Sequence, residues 1–465
     1  MKSFLFLPAL LFATQVSAQQ TPFEKSKGKE TATYFEAINF YMDLAKKSSK
    51  IFIKKGERTD AGYPLHLVLI SNDKKFDPTI WHRQNKVVIL INNGIHPGEP
   101  DGIDASMMLA RDIAINKIQL PDNVAIGIIP VYNIGGCLNR NSYSRANQNG
   151  PVSYGFRGNS ENLDLNRDFT KCDTKDAKAF TEIFHYMDPE IQVDTHVSDG
   201  ADYQHTMTLI TTQYDKLGAT LGSWVKTQFE PGIYSNMAEK KWEMIPYVNF
   251  ETSVPDKGME QFYDPPRYSS GYAALFQTIS FMPETHMLKP FKDRVLSTYA
   301  LLQTMIEQAG LKGRELVATR KKARKELKEQ VTFPLSWKLD SSKFSLITFK
   351  GYEQGFKTSD ATGLQRMYYD RTQPFTKQIK YFDVYNPVNP VSRPKYYIIP
   401  IGWKSVIDLL QINKVQMSQL QKDSIISVEA YHIDDYKSFP KSYEKHHKNY
   451  DVKVSSKMIY QIPYR

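Results

Sequence analysis

A histidine and a carboxylate stand three residues apart in Asn93-Gly94-Ile95-His96-Pro97-Gly98-Glu99-Pro100, directly after the apolar run 87–91. The end of a buried strand is a rigid anchor, and Pro97 biases His96 toward extended backbone. Gly98 is expected to permit a sharp turn, so that the imidazole and the Glu99 carboxylate converge on one point. A borderline cation such as zinc takes nitrogen and carboxylate ligands, and a hydrolytic site needs three of them plus an open position for water. The pair alone is weakly specific. A third donor is available in Ile191-Gln192-Val193-Asp194-Thr195-His196, a short strand-like run that ends in histidine and follows a helical stretch over 176–187.

Two further segments carry chemistry. Between the donors lies Arg157-Gly158-Asn159-Ser160-Glu161-Asn162-Leu163-Asp164-Leu165-Asn166-Arg167-Asp168-Phe169, where arginines and asparagines cluster without helical or strand periodicity. Downstream, the apolar run in Ile279-Ser280-Phe281-Met282-Pro283-Glu284-Thr285-His286 ends in a glutamate, where a strand without a function would end in a turn residue.

These four segments, in this order, resemble the zinc carboxypeptidase family, the metallocarboxypeptidases of the funnelin type, over roughly residues 30 to 310. The chain departs from the family pattern at Asn162, where glycine is usual, and at Leu163, where valine is common. The first change is mild, since asparagine tolerates left-handed backbone. The resemblance implies one zinc per chain held by His96, Glu99 and His196, with Glu284 as general base. It also implies that Arg157 polarises the scissile carbonyl and that Asn166 and Arg167 hold the substrate's terminal carboxylate. From Gln19 to His96 there is room only for a first helix and strands, so a separate inhibitory propeptide domain is not expected.

Elementary chemistry supports each role. Zinc lowers the pKa of its water to about 7, but attack on a peptide still needs a base for the proton. A carboxylate beside the metal takes that proton and returns it to the leaving amine. An arginine aimed at the developing oxyanion stabilises charge in a water-poor site, and a second arginine offers a planar fork matched to a carboxylate. Asp164 is expected to receive the other N–H of a ligating imidazole and so fix its tautomer. Family members also carry a mobile tyrosine upstream of the catalytic glutamate. In Arg267-Tyr268-Ser269-Ser270-Gly271-Tyr272 the choice falls on Tyr268, with Tyr272 and Tyr263 behind it, in a chain of 28 tyrosines.

The N-terminus reads as a leader. Lys2 supplies a positive region, 4–13 an apolar core too short to span a bilayer, and Val16-Ser17-Ala18 a small-residue cleavage site. Export to the periplasm or the extracellular space is therefore expected, with no later membrane span. An oxidising compartment permits Cys137 and Cys172, which flank the arginine-rich loop, to pair; two separate buried thiols are the alternative. The chain has 465 residues, 41% of them hydrophobic, enough for large cores, and a formal charge of +10. Its densest basic run, Arg320-Lys321-Lys322-Ala323-Arg324-Lys325, alternates with Glu315, Glu326 and Glu329. That is the exposed face of a helix, and nucleic acid is not an expected partner.

Stepwise along the chain, 33–47, 101–115, 176–187, 217–228 and 295–308 have helical spacing, and 51–54, 65–71, 87–91 and 124–131 read as strands. The alternation argues for an α/β fold, a mixed, mostly parallel sheet flanked by helices, with ligands at the carboxyl ends of strands. After a basic helical segment, 331–465 has short β-like runs at 344–349, 378–384, 396–400, 424–431 and 452–455, with helical stretches at 403–410 and 415–420. Pro387, Pro390 and Pro394 mark exposed connections there. The expected division is a leader (1–18), a catalytic domain (19–312), a basic helical linker (313–330) and a smaller β-rich accessory domain (331–465). His446 and His447 are expected to be solvated.

The function expected from these residues is an exported zinc metallocarboxypeptidase acting on a peptide substrate. The alternatives are a zinc amidohydrolase or endopeptidase acting on cell-wall peptides (muropeptides) or acyl-amino acids, and an inactive binding module. A binding module has no use for a base at Glu284.

Overall fold

The run 87–91 is apolar at every position, so it needs cover on both faces. The computed structural model describes residues 19–249 and 254–464; the expected leader lies outside them. Its first ten strands are β1 (Ile51–Arg58), β2 (Pro64–Ile70), β3 (Val87–Asn92), β4 (Val124–Ile129), β5 (Ile191–Asp194), β6 (His196–Ser198), β7 (Met207–Thr211), β8 (Ile245–Pro246), β9 (Met259–Glu260) and β10 (Ile279–His286). All but β9 form one nine-stranded sheet, ordered β1-β2-β4-β3-β5-β10-β7-β8, with β6 also on β10. The central pairs β3–β4, β3–β5, β5–β10 and β6–β10 are parallel, as is β7–β8. Antiparallel pairs β1–β2, β2–β4 and β7–β10 lie toward the flanks. The sheet is thus mixed and mostly parallel.

Helices α1 (Pro22–Lys25), α2 (Tyr34–Lys47), α3 (Pro78–Arg83), α4 (Asp101–Ala114), α5 (Ile134–Leu138), α6 (Lys175–Met187), α7 (Gly218–Trp224), α8 (Glu230–Glu239), α9 (Ser269–Ala274) and α10 (Phe291–Glu329) flank it. Side chains alternate across a strand, and β3 shows how this divides the core. Val87, Ile89 and Ile91 join the cluster built with α2, α4 and α10. Val88 and Leu90 join a second cluster with Phe180 and Phe184 of α6. Thr33 accepts from the Glu36 N–H, and Glu36 in turn accepts from the Thr33 N–H, a reciprocal cap that starts α2 at Tyr34.

Some elements differ from expectation. The stretch 217–228 is α7 followed by a π-helical turn that runs into α8. The expected linker 313–330 is the second half of α10, a single helix of 39 residues. Arg320 is buried, not on an exposed face: its guanidinium meets Glu190 at 2.9 Å and Asp188 at 2.8 Å. The neighbouring Lys321, Lys322 and Lys325 are exposed. Pairing with buried carboxylates decides which basic residue of such a run turns inward. Cys137 and Cys172 are both buried free thiols.

Beyond α10 lie β11 (Thr332–Leu339), β12 (Ser345–Thr358), β13 (Gln365–Phe382), β14 (Tyr385–Ser392), α11 (Lys404–Ile412), β15 (Ser424–Ser438) and β16 (Asn449–Tyr464). β12 and β13 pair, and β9 adds to β13, so the catalytic half lends a strand to this region. Phe349, Ile379 and Tyr381 pack on Tyr203, Ile245 and Val248 of the large domain. Pro387 and Pro390 sit within β14, not in a connection; β14 pairs only with β11, and a one-sided strand tolerates missing N–H groups. Residues 396–400 and 415–420 have neither strand nor helix. Their short apolar runs lack a partner face to fold against. Among the described residues, no helix is long and apolar enough to cross a membrane.

Candidate metal centre

β3 ends at Asn92, and the chain then turns so that the Glu99 N–H donates to the His96 carbonyl at 2.8 Å. Gly98 does not adopt left-handed backbone; its need for glycine is space. A Cβ there would lie 2.8 Å from Arg145 Cδ and 3.0 Å from the Gly155 carbonyl oxygen. His196 arrives by a break in the strand: β5 stops at Asp194, and His196 is the first residue of β6. His96, Glu99 and His196 are all buried, and one donor atom from each lies within 4.8 Å of the others. His96 Nδ1 is 3.3 Å from Glu99 Oε1, and His196 Nδ1 is 3.2 Å from Glu99 Oε2.

This donor set fits zinc. Two imidazoles and a carboxylate are a three-ligand catalytic set. His96 Nδ1 is buried without a hydrogen-bond partner, while its Nε2 is fixed 2.9 Å from Asp164 Oδ1. The carboxylate therefore commits one ring nitrogen and leaves the other for a cation. His196 differs: its Nδ1 meets Glu99 Oε2 at 3.2 Å, and Asp194 Oδ2 lies 3.2 Å from a Nε2 that has no hydrogen-bond partner. Burial alone would raise the Glu99 carboxyl, but Arg145, His96 and His196 hold it well below the usual range. It is a carboxylate ready to ligate.

Glu284 stands directly across from His196 in the parallel register of β10 and β6, two residues before β10 ends. Burial pushes its carboxyl up to about 8; His196, Arg145 and Arg157 oppose this and Glu99 adds to it. A dication at the adjacent donors would draw it back toward the carboxylate form. Arg157 reaches the same residues. Its Nη1 is 3.5 Å from Glu99 Oε1, and Nη2 and Nε hold Asp164 Oδ2 at 2.8 and 3.1 Å.

Asp164 also accepts from the Asn166 N–H at 2.9 Å, starting a short 3-10 turn. Asn162, two residues earlier, has φ of 58°, the left-handed angle that glycine usually supplies. The turn presents Asn166, whose Oδ1 accepts from the Ser269 N–H at 3.2 Å. Arg167 donates to the Asn166 carbonyl at 2.8 Å and lies 4.2 Å from the centroid of the Tyr268 ring. Of the other tyrosines considered, Tyr272 is buried with its hydroxyl donating to Asn413 Oδ1 at 2.7 Å. Tyr263 packs on Tyr385 under the Lys216 amine. The geometry sets Tyr268 alone of the three beside Arg167.

Sequence reasoning missed three residues here. Arg145 places Nη1 2.7 Å from Glu99 Oε1 and Nη2 2.9 Å from the Val197 carbonyl oxygen. It lies in an irregular polar stretch with no spacing to flag it. Asp194 was legible as a charged residue inside an otherwise buried strand. Tyr247 is half-buried after β8; burial raises its phenol pKa, and Glu284 is the largest charge acting on it.

The sequence profile of the zinc carboxypeptidase family matches residues 38–232, which include His96, Glu99 and His196. A carboxypeptidase 2 from Trichophyton rubrum is 21% identical over 439 residues, covering 88% of this chain and 73% of that protein. A metallo-carboxypeptidase structure from Burkholderia cenocepacia is 14% identical with a TM-score of 0.44, covering 60% of this chain and 69% of its own. A carboxypeptidase A from Helicoverpa armigera is 13% identical with a TM-score of 0.44, covering 60% and 74%. Profile and donor set agree: residues 38–232 match the zinc carboxypeptidase family and hold a donor set that fits zinc, as in a zinc metallopeptidase.

Proposed function

We propose that the protein is an exported carboxypeptidase that removes the C-terminal residue of a peptide. The observation that carries this reading is that two devices share one loop: Asp164, which holds His96 and Arg157, starts the turn that carries Asn166 and Arg167. His96, Glu99 and His196 converge beside Glu284 and Arg157, and one turn away Asn166 and Arg167 stand under Tyr268. The first device suits hydrolysis, the second a free carboxylate.

Zinc held by His96, Glu99 and His196 supplies Lewis acidity, polarising a carbonyl and bringing the pKa of water to about 7. The Glu284 carboxylate takes a proton from the attacking water and returns it to the leaving nitrogen. Arg157 donates toward the oxygen that gains negative charge, and Asp164 holds that guanidinium in place. Asn166 and Arg167 bind the terminal carboxylate, which fixes the last peptide bond in reach. Tyr268 lies against the Arg167 guanidinium and shields it from water. Export rests on the leader pattern around Lys2 and Val16-Ser17-Ala18; the compartment is periplasmic or extracellular.

The test pairs three variants with two substrates. Glu284→Gln retains zinc and lowers turnover by a factor on the order of 10² to 10⁴, whereas Glu99→Gln loses metal. Amidating the substrate's C-terminus lowers kcat/KM sharply in the wild type, and Arg167→Ala removes that difference. Equal rates on acid and amide peptides would make the enzyme an endopeptidase or amidohydrolase; full turnover in Glu284→Gln would reject the base.

A further inference from the structure

β15 and β16 form a two-stranded hairpin whose tip returns to the catalytic domain. Residues 443–446 close a tight turn: the Tyr443 N–H donates to the His446 carbonyl at 2.8 Å, and the His446 N–H donates back at 3.1 Å. The central residues have φ of 50° (Glu444) and 66° (Lys445). Such a turn favours Asn-Gly, and two long side chains persist in it only where the surroundings hold them.

The surroundings are the loop that carries the site. Glu444 Oε2 accepts from the Asp164 backbone N–H at 3.0 Å. The Lys445 amine pairs with Glu161, and His446 Nε2 lies 2.6 Å from Asp173 Oδ2. His446 and His447 are exposed, as expected, but each has a partner: His446 pairs with Asp173, and His447 Nδ1 sits 2.9 Å from the Phe439 carbonyl. Tyr443 extends the contact on another side. The Arg267 guanidinium lies 5.1 Å from the Tyr443 centroid and 5.8 Å from that of Tyr268, whose ring lies 4.2 Å from Arg167. Rings and guanidinium groups alternate from the hairpin tip to the arginine beside Asn166.

We propose that residues 443–446 are a positioning element of the substrate-carboxylate subsite. The tip holds the 161–173 loop and Tyr268 in the shape that presents Asn166 and Arg167. The accessory region thus contributes to substrate binding as well as to folding. The inference rests on the carboxypeptidase reading above for the identity of the ligand. The contact itself stands on the tip's own geometry. The tip touches the loop at the Asp164 N–H, Glu161 and Asp173, and leaves the Asp164 carboxylate on His96 and Arg157, so its loss acts on substrate affinity more than on zinc.

Single exposed ion pairs contribute little, so the test removes the contacts together. The full-length variant Tyr443→Ala/Glu444→Ala/Lys445→Ala/His446→Ala is compared with the wild type on matched free-acid and amidated peptides. KM for the acid is expected to rise about tenfold, with kcat changed less than about twofold, because several contacts to charged groups are lost at once. Zinc affinity falls less than in Asp164→Asn, and hydrogen–deuterium exchange of residues 161–173 rises. Glu444→Gln keeps the acceptor for the Asp164 N–H and retains wild-type KM. An unchanged KM together with unchanged exchange in 161–173 overturns the proposal, as does a fall in kcat alone. If the wild type hydrolyses no peptide, the carboxypeptidase reading fails, while the exchange measurement still decides whether the tip holds the loop.

Discussion

Replacing Asp164 by asparagine tests how the site orients His96. The carboxylate serves three groups at once. Oδ1 faces His96 Nε2 at 2.9 Å and the Asn166 N–H at 2.9 Å, and Oδ2 faces two N–H groups of Arg157 at 2.8 and 3.1 Å. Burial would raise its pKa, but His96, Arg157 and Arg167 hold the carboxyl far below its ordinary range. An asparagine has one oxygen and one NH2. With the oxygen kept on His96, the NH2 meets the Arg157 donors, and two charge-assisted bonds are lost. With the oxygen turned to Arg157, His96 faces a donor and loses its tautomer control. Either way the ligand is held less well. Changes at such outer partners weaken metal binding by roughly 10–100-fold, or about 1.4–2.8 kcal/mol. Titrating apo wild type and Asp164→Asn with zinc against a competing chelator reads this directly, with circular dichroism to show an intact fold. A zinc affinity within about twofold of wild type would refute the claim that Asp164 prepares His96 for the metal.

Three other perturbations have distinct signatures. Arg157→Ala lowers kcat by roughly 10² to 10³ while weakening zinc less than Asp164→Asn does, as steady-state kinetics and chelator competition report; a change in KM alone would contradict the oxyanion role. Arg294 is fully buried, with Nε 3.1 Å from Asp101 and two N–H groups on the Met287 and Gly150 carbonyls. Arg294→Ala removes the cation beside Asp101, leaving it the Thr285 hydroxyl, and costs about 3–5 kcal/mol in urea unfolding, so a loss under about 1 kcal/mol contradicts that account. Burial raises the Asp104 carboxyl to about 7, against 3.8 for an ordinary one, despite donation from Thr31. The folded state then holds a proton that the unfolded chain releases, so this contribution is complete below pH ~4 and is lost as pH rises through ~7. Asp104→Asn removes that slope, and an unchanged pH profile of unfolding would show that Asp104 does not titrate with folding.

The parts of the site that were legible share one property: their chemistry is local in sequence. His96 and Glu99 sit in one turn, and Asp164, Asn166 and Arg167 in another, and these short motifs, in order with His196 and Glu284, carry the family resemblance that implies their roles. The buried sheet was legible for a related reason, because 87–91 is apolar on both faces. Arg145 escaped because nothing within its own polar stretch points to Glu99, 46 residues away in the chain. The hairpin tip escaped for the same reason at greater range, with His446 meeting Asp173 across 273 residues. The inward turn of Arg320 depends on carboxylates at Asp188 and Glu190, which the charge pattern of its own helix does not contain. The apolar run 415–420 has helical spacing but no partner face, and most helical stability comes from such packing.

The central claim is a zinc centre built from His96, Glu99 and His196. Its most direct test is the metal content of purified protein after zinc loading and removal of loosely bound ions. The account predicts one equivalent per chain in the wild type and loss of that equivalent in His96→Ala with the sheet still folded. Less than about a tenth of an equivalent in the wild type would contradict it, since a buried three-ligand site retains its metal.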